Sequence, residues 1–317
     1  MLLNILIVLL VIFVLDFAIG RTLRYFYFKE SSGFNYRTTY TMEETRADIL
    51  IFGSSTANHH YVPEVFEDSL KMTYYNTGRD GVGILGQTAV LKSVLKRYTP
   101  KLIILDYTGS FQQEEKSYDR LAVLLPYYRT HPEIRKIIEL KSPFERIKLL
   151  SEIYPFNSQI LNVAVGNLAI NKKRMLDHEG YVALYKKWQD KKEMIKPGPA
   201  YSVDSNKVSA LKDFIKTAKQ SGSQIIIIHS PWYKEFKTLQ EIDICRAVCA
   251  QADVPFWDYT KDTLFLNNRQ LFTDLSHLNH TGATLFSTLV VEKIMQKRNV
   301  SERALALKIL ADADWIK

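Results

Sequence analysis

Residues 47–63 read ADILIFGSSTANHHYVP. The apolar run Ile49–Phe52 stops at Gly53, and small polar groups follow at once: Ser54, Ser55, Thr56, Asn58, His59 and His60. A short continuous apolar run bounded by glycine is the pattern of a strand buried on both faces. Pro63 then opens a short helix, VPEVFEDSL, from its first turn. The same rhythm returns along the chain. Strand patterns appear at MTYYNTG, KLIILDYTG, QIIIIHSP and VPFWDY, and amphipathic helix patterns at GILGQTAVLKSVLKRY, NKVSALKDFIKTAKQSG, EFKTLQEIDICRAVCAQAD and HTGATLFSTLVVEKIMQKR. Short apolar strands alternating with amphipathic helices predict an α/β fold, a parallel sheet sandwiched between helices in three layers, α/β/α.

This domain is expected over residues 47–300, and other segments surround or interrupt it. Residues 1–20, MLLNILIVLLVIFVLDFAIG, are apolar except for Asn4 and Asp16, which is about the length that crosses a bilayer. No Lys or Arg precedes the run, so it lacks the positive n-region of a cleavable signal peptide, and AIG is its one weak cleavage candidate. The segment reads as an uncleaved transmembrane anchor. Residues 21–46 read as a polar linker. Residues 112–200 break the strand–helix rhythm with helix-rich, basic sequence and read as an insertion between the third and fourth strands. Residues 301–317 read as a helical tail.

The composition suits a sizeable core: 46% of the 317 residues are hydrophobic and 24% charged. The net charge of +8 reads first as a solvated basic surface and also suits an anionic partner such as a membrane surface or an acidic glycan, but no motif reads base edges, so nucleic acid is not expected. Cys245 and Cys249 are four apart on a helix pattern, farther apart than a disulfide allows, and read as small buried residues. No metal site and no organic cofactor are implied.

In an open parallel sheet, ligands bind beyond the carboxyl ends of the strands. Gly53, Ser54 and Ser55 lie there after the first strand; Asn76, Gly78 and Gly81 after the second; Asp106, Thr108, Gly109 and Ser110 after the third; His229 after the fourth; and Asp274, His277 and His280 in DLSHLNHTG after the last. A serine nucleophile needs a base, and the base needs an orienting group. Asp274 and His277, three apart in one loop, fit that need, with the second imidazole nitrogen free to face a serine. The backbone N–H groups of Ser55 and Gly81 are candidate donors to an oxyanion. Gly109 offers a further one because glycine tolerates unusual backbone angles. Asn76 and His229 are candidates for lining the pocket. His59 and His60 read as packing or capping residues, and His280 as a helix-start residue.

A strand ending in Gly-x-Ser, a glycine turn after the second strand and a late Asp-x-x-His together resemble the SGNH (GDSL-like) hydrolase superfamily, over about residues 47–110 and 206–298. The resemblance implies Ser55 as nucleophile, Gly81 as an oxyanion donor, His277 as base and Asp274 as its orienting group. It departs from the family's third block, which usually carries an asparagine as Gly-x-Asn-Asp; here the third strand ends LDYTGS. Thr108, Ser110 or the backbone near Gly109 would have to stand in. An apolar anchor with this variant pattern resembles the branch that includes the D-alanyl transfer proteins of teichoic acid and the alginate acetyltransferases. That implies a membrane-anchored esterase or O-acyltransferase acting on acyl esters of a cell-envelope glycan, outside the cytoplasm, with a multi-spanning acyltransferase as a candidate partner. Arg21, Arg24 and Lys29 pull the other way, because the positive-inside tendency retains such residues in the cytoplasm. The alternative is a catalytically inactive, glycan-binding or scaffold member of the same fold.

Overall fold

A computed structural model describes residues 1–168, 177–188, 201–234 and 240–313. In chain order the elements are α1 (Leu2–Lys29), α2 (Gly33–Glu43), β1 (Ile49–Gly53), α3 (Ser55–His60), α4 (Pro63–Leu70), β2 (Tyr74–Asn76), α5 (Ile84–Leu95) and β3 (Leu102–Asp106). Four short helices follow, separated by 3₁₀ turns: α6 (Glu115–Asp119), α7 (Arg135–Ile138), α8 (Glu145–Lys148) and α9 (Ile160–Asn167). The chain then continues through α10 (Ser205–Gln220), β4 (Gln224–His229), α11 (Gln240–Gln251), β5 (Phe256–Asp258) and α12 (His280–Ala313).

Among the described residues the strands form one parallel five-stranded sheet in the order β2-β1-β3-β4-β5. Alternation along each strand separates two cores. Leu50, Phe52, Ile103, Leu105, Ile225 and Ile227 face the layer that contains α5, α10 and α11. Ile49, Ile51, Ile104, Ile226 and Ile228 face the layer that contains α4 and α12. These strand residues are at most 5% exposed, and fully burying each such side chain stabilises the fold by about 1.5–3 kcal/mol. The α/β fold expected from the strand–helix rhythm is the one observed.

Strand order reverses between β1 and β3, because the chain moves from β1 outward to β2 and then back across β1 to β3. The crevice at such a reversal, beyond the carboxyl ends of the strands, is where open α/β sheets bind ligands. Ser55 follows β1 at that point.

The structure differs from expectation at both ends. Residues 21–29 continue α1, and Tyr27, 1% exposed, packs edge-on against Tyr127 and Phe156. Residues 33–43 are not a linker: α2 buries Asn35, Arg37, Thr38 and Thr41. Met42 packs into the core, while the polar buried residues bind other loops through hydrogen bonds. α12 runs without a break past residue 301 to Ala313. Cys245 and Cys249 are buried and free, as the helical spacing requires. The basic runs at 171–175 and 189–199 lie outside the described residues.

Candidate active site

Gly53 makes the turn out of β1 with φ +147°, and a Cβ there would meet the Asp106 carbonyl oxygen at 2.5 Å. Only glycine lets β1 and β3 approach this closely and turn sharply between strand and helix. Ser55 therefore emerges at the first position of α3, above the carboxyl edge of the sheet.

The loop before α12 meets it. His277 Nε2 lies 2.7 Å from Ser55 Oγ. His277 Nδ1 lies 2.8 Å from Asp274 Oδ2 and 3.0 Å from Oδ1. Asp274 Oδ1 also accepts from the backbone N–H groups of Ser276 and His277, both at 2.9 Å. Burial alone would raise the Asp274 carboxyl, but the His277 hydrogen bond and charge and the two backbone donors outweigh it and hold the group well below the usual carboxylate range. With Asp274 ionised, the proton of the imidazole resides on Nδ1, and Nε2 is left to accept from Ser55.

Two further histidines lie edge-on to the His277 ring, and one of them fixes its loop. His60 is fully buried, and its Nε2 accepts from Leu278 N–H at 3.0 Å. Burial keeps His60 well below its usual range, so it is neutral and can act as that acceptor. His59 Nδ1 bonds the Val182 carbonyl at 2.7 Å, and its ring lies 5.8 Å from the His277 ring. Residues 177–188 thus return from the insertion and wall one side of the site: Asn76 N–H donates to Glu179 O, Val182 N–H to Asn58 O, and His280 N–H to Leu184 O at the start of α12.

The other candidate residues have different places. Gly81 (φ +72°) directs its N–H to Ser54 Oγ at 3.1 Å. Gly109 lines a cavity of about 170 Å³ next to Ser54 and Gly81, together with Tyr107, Ser110 and Lys207. Thr108 Oγ1 pairs with Thr56 Oγ1 at 2.8 Å, and Ser110 Oγ accepts from Gln112 N–H. Asn76 is fully buried and does not reach Ser55. Its Nδ2 donates to Ala57 O at 2.6 Å and its Oδ1 accepts from Gly78 N–H at 2.8 Å, so it fastens the β2 turn to α3. His229 is 1% exposed, bonds the Ser230 carbonyl through Nδ1 and packs against Trp232; burial lowers it to about 4.

Three contributors had no signal in the sequence. Arg37 of α2 donates to Asn58 Oδ1 at 2.8 Å, to Gly78 O at 3.0 Å and to Gly180 O, so one side chain holds α3, the β2 turn and the returning segment. Arg120, exposed at the start of the insertion, rests against Gly81: a Cβ on Gly81 would meet its guanidinium carbon at 3.1 Å. Lys207, 4% exposed, donates to the carbonyls of Ser110 and Gln112 beside the cavity. Each is a charge carried into place by tertiary packing from an element far away in sequence.

Neither a protein-family profile nor a curated protein matches the chain. Solved structures similar to it include a protein of Bacteroides fragilis assigned as an acylhydrolase, 11% identical, with a TM-score of 0.40 over 78% of this chain and 86% of that one. Another is an acetyl xylan esterase, 12% identical, with a TM-score of 0.38 over 78% of this chain and 98% of that one. At these identities and scores the likeness is confined to the course of the chain.

Proposed function

We propose that this chain is a membrane-tethered serine esterase or O-acyltransferase of the SGNH type, acting on acyl esters of a cell-envelope glycan outside the cytoplasm. The observation that carries the reading is the relay from Ser55 Oγ through His277 to Asp274, with 2.7 and 2.8 Å steps. These lie within the hydrogen-bond reach that proton transfer requires. Ser55 Oγ attacks the acyl carbonyl while its proton passes to His277 Nε2. The oxyanion is met by the Ser55 N–H, which as a first-turn donor has no intrahelical partner, and by the Gly81 N–H once the substrate displaces the Ser54 hydroxyl. His277 then returns the proton to the departing alkoxide, leaving an acyl ester on Ser55. Water or an acceptor hydroxyl, deprotonated by the same imidazole, releases it. The Arg120 guanidinium supplies positive charge beside Gly81.

A fluorophosphonate probe tests the nucleophile in the full chain. Labelling of the wild type that disappears in Ser55→Ala, with Ser54→Ala still labelled, supports the reading. Labelling that persists in Ser55→Ala sinks it. The Ser54–Gly81 contact and the threonine at position 108 favour the second reading, a non-catalytic member that binds glycan. A wild type that is labelled neither by the fluorophosphonate nor by a small sulfonyl fluoride would select it.

The side of the membrane is tested separately. Alkaline phosphatase, active only outside the cytoplasm, fused behind Lys317 is expected to be active. An inactive phosphatase together with a fluorescent cytoplasmic reporter at the same site would remove the envelope-glycan substrate.

A further inference from the structure

The sequence feature that the catalytic reading leaves unused is Asp16, an acidic residue inside the apolar stretch of α1. Its carboxylate accepts from the Ser151 hydroxyl and from the backbone N–H groups of Glu152, at 2.7 Å, and Ile153. One turn on, Gly20 touches the same segment: a Cβ there would meet the Glu152 backbone at 2.4 Å. Farther along, Asn167 of α9 donates to Phe26 O at 2.9 Å. The insertion is therefore clamped to α1 at three successive levels.

Its outer face is apolar and uncovered. Phe144, Ile147 and Leu150 recur at helical spacing through α8 and are 65, 65 and 77% exposed. On α9, Leu161 is 79% exposed, while Val163 on the opposite side is 4% exposed in the core; Leu168, 70% exposed just after α9, lies beside Phe26 on the polar side of Arg21 and is not part of this face. Beyond residue 29, seven of the eleven exposed large hydrophobic residues among those described fall between Leu140 and Leu168. Such a concentration marks a binding surface, whereas isolated exposed residues do not.

Taking α1 as a membrane span, as the proposed function does, we infer that this face of the insertion is a second membrane contact, a collar seated in the lipid interface around the exit of α1. The clamp fixes its height. Arg21 and Arg24 mark the polar end of the apolar run, and Asp16 lies five residues inside Arg21, about 7.5 Å along a helix that rises about 1.5 Å per residue. Ser151–Ile153 sit at that level, which matches the depth of about 5–10 Å reached by the apolar faces of interfacial helices. Phe17 and Ile19 of α1, 49 and 45% exposed, continue the same surface. Arg146, its side chain 78% exposed and paired with Glu139 at 3.6 Å, stands next to Ile147 at the polar edge of this face. The clamp also accounts for Asp16, since a carboxylate at membrane depth must be met by donors from the protein. A tether alone leaves a domain free to tilt; a tether and a collar hold Ser55 at one height and orientation above the bilayer.

The test places single cysteines in the full chain at Leu150, Leu161, Leu9 and Leu264, each labelled with nitrobenzoxadiazole; the native cysteines are buried. The protein is reconstituted in vesicles of phosphatidylethanolamine and phosphatidylglycerol with nitroxide-labelled phosphatidylcholine. Probes at positions 150 and 161 are expected to shift to the blue and lose emission to the lipid quencher, while the exposed loop position 264 stays unshifted. Quenching at 9 with emission at 150 and 161 matching 264 overturns the collar and leaves the anchor standing. No quenching at 9 overturns the anchor itself and the collar with it. A blue shift at 150 and 161 that vanishes as protein is diluted into excess lipid identifies a second copy of the chain as the occupant and also overturns the proposal.

Discussion

In Asp274→Asn, turnover of an acyl ester falls about 10⁴-fold, the loss expected when the orienting carboxylate of such a relay becomes an amide. The substitution is chosen because it spares the loop. Asn Oδ1 still accepts from the Ser276 and His277 N–H groups that Asp274 now binds at 2.9 Å. The remaining amide, a donor, faces His277 Nδ1, which must then accept. The imidazole proton moves to Nε2, where it can no longer receive one from Ser55. The charge that would stabilise imidazolium during the reaction is lost at the same time. Ser55→Ala and His277→Ala are expected to be more severe, about 10⁶-fold, and combining all three adds little because the groups act as one unit. Thermal stability should fall only modestly in Asp274→Asn: the charge interaction with His277 is lost, but Asp274 is half exposed and its loop stays anchored through Leu278 and His60. Steady-state rates with 4-nitrophenyl acetate, and melting curves in detergent, read both quantities. If Asp274→Asn retains most of the wild-type rate while Ser55→Ala is dead, the carboxylate is merely a loop staple. If Ser55→Ala retains the rate, the relay is not the catalyst.

The parts of this molecule that could be read from sequence are those governed by local pattern. β1 is visible because a strand buried on both faces must be apolar throughout, and its turn because Gly53 has to adopt φ +147°. The Asp274–His277 pair could be found because three residues of loop suffice to bring carboxylate and imidazole together. α2 was hidden for the opposite reason. Apart from Met42, its buried residues are Asn35, Arg37, Thr38 and Thr41, so no apolar period announces a helix, and their partners, such as Arg79, lie in distant segments. Strand-end residues were only half legible. The end of the sheet on which Asn76 and His229 lie follows from the sequence, but the layer their side chains enter follows from register, and one step of register exchanges the two layers. Arg120 and Lys207 arrive from the insertion and from α10, and nothing near them in sequence speaks of a cavity.

Wild-type stability is expected to fall as pH rises from about 4 to about 7, relative to Asp106→Asn. Asp106 ends β3 with 2% exposure, beneath the turn that carries Ser55. Burial raises its carboxyl to about 7, even though the Ser230 hydroxyl and N–H and the neighbouring Tyr61 and Thr56 act to lower it. In the unfolded chain the group titrates near 3.8. Between those values the folded protein holds a proton that the unfolded chain has released, so stability declines by about 1.4 kcal/mol per pH unit. Over the full window this amounts to about 4 kcal/mol, complete below the unfolded value and lost as pH passes the folded one. Asparagine cannot titrate, yet it keeps an acceptor for Ser230. All other groups titrate alike in the two proteins, so the wild-type-minus-variant difference in unfolding free energy isolates Asp106. Denaturant melts in detergent at pH 4.5, 6 and 7.5 would measure it: the difference should move steadily in favour of Asp106→Asn as pH rises. A constant difference across that range would mean that the buried carboxyl is ionised throughout and paired more strongly than its neighbours indicate.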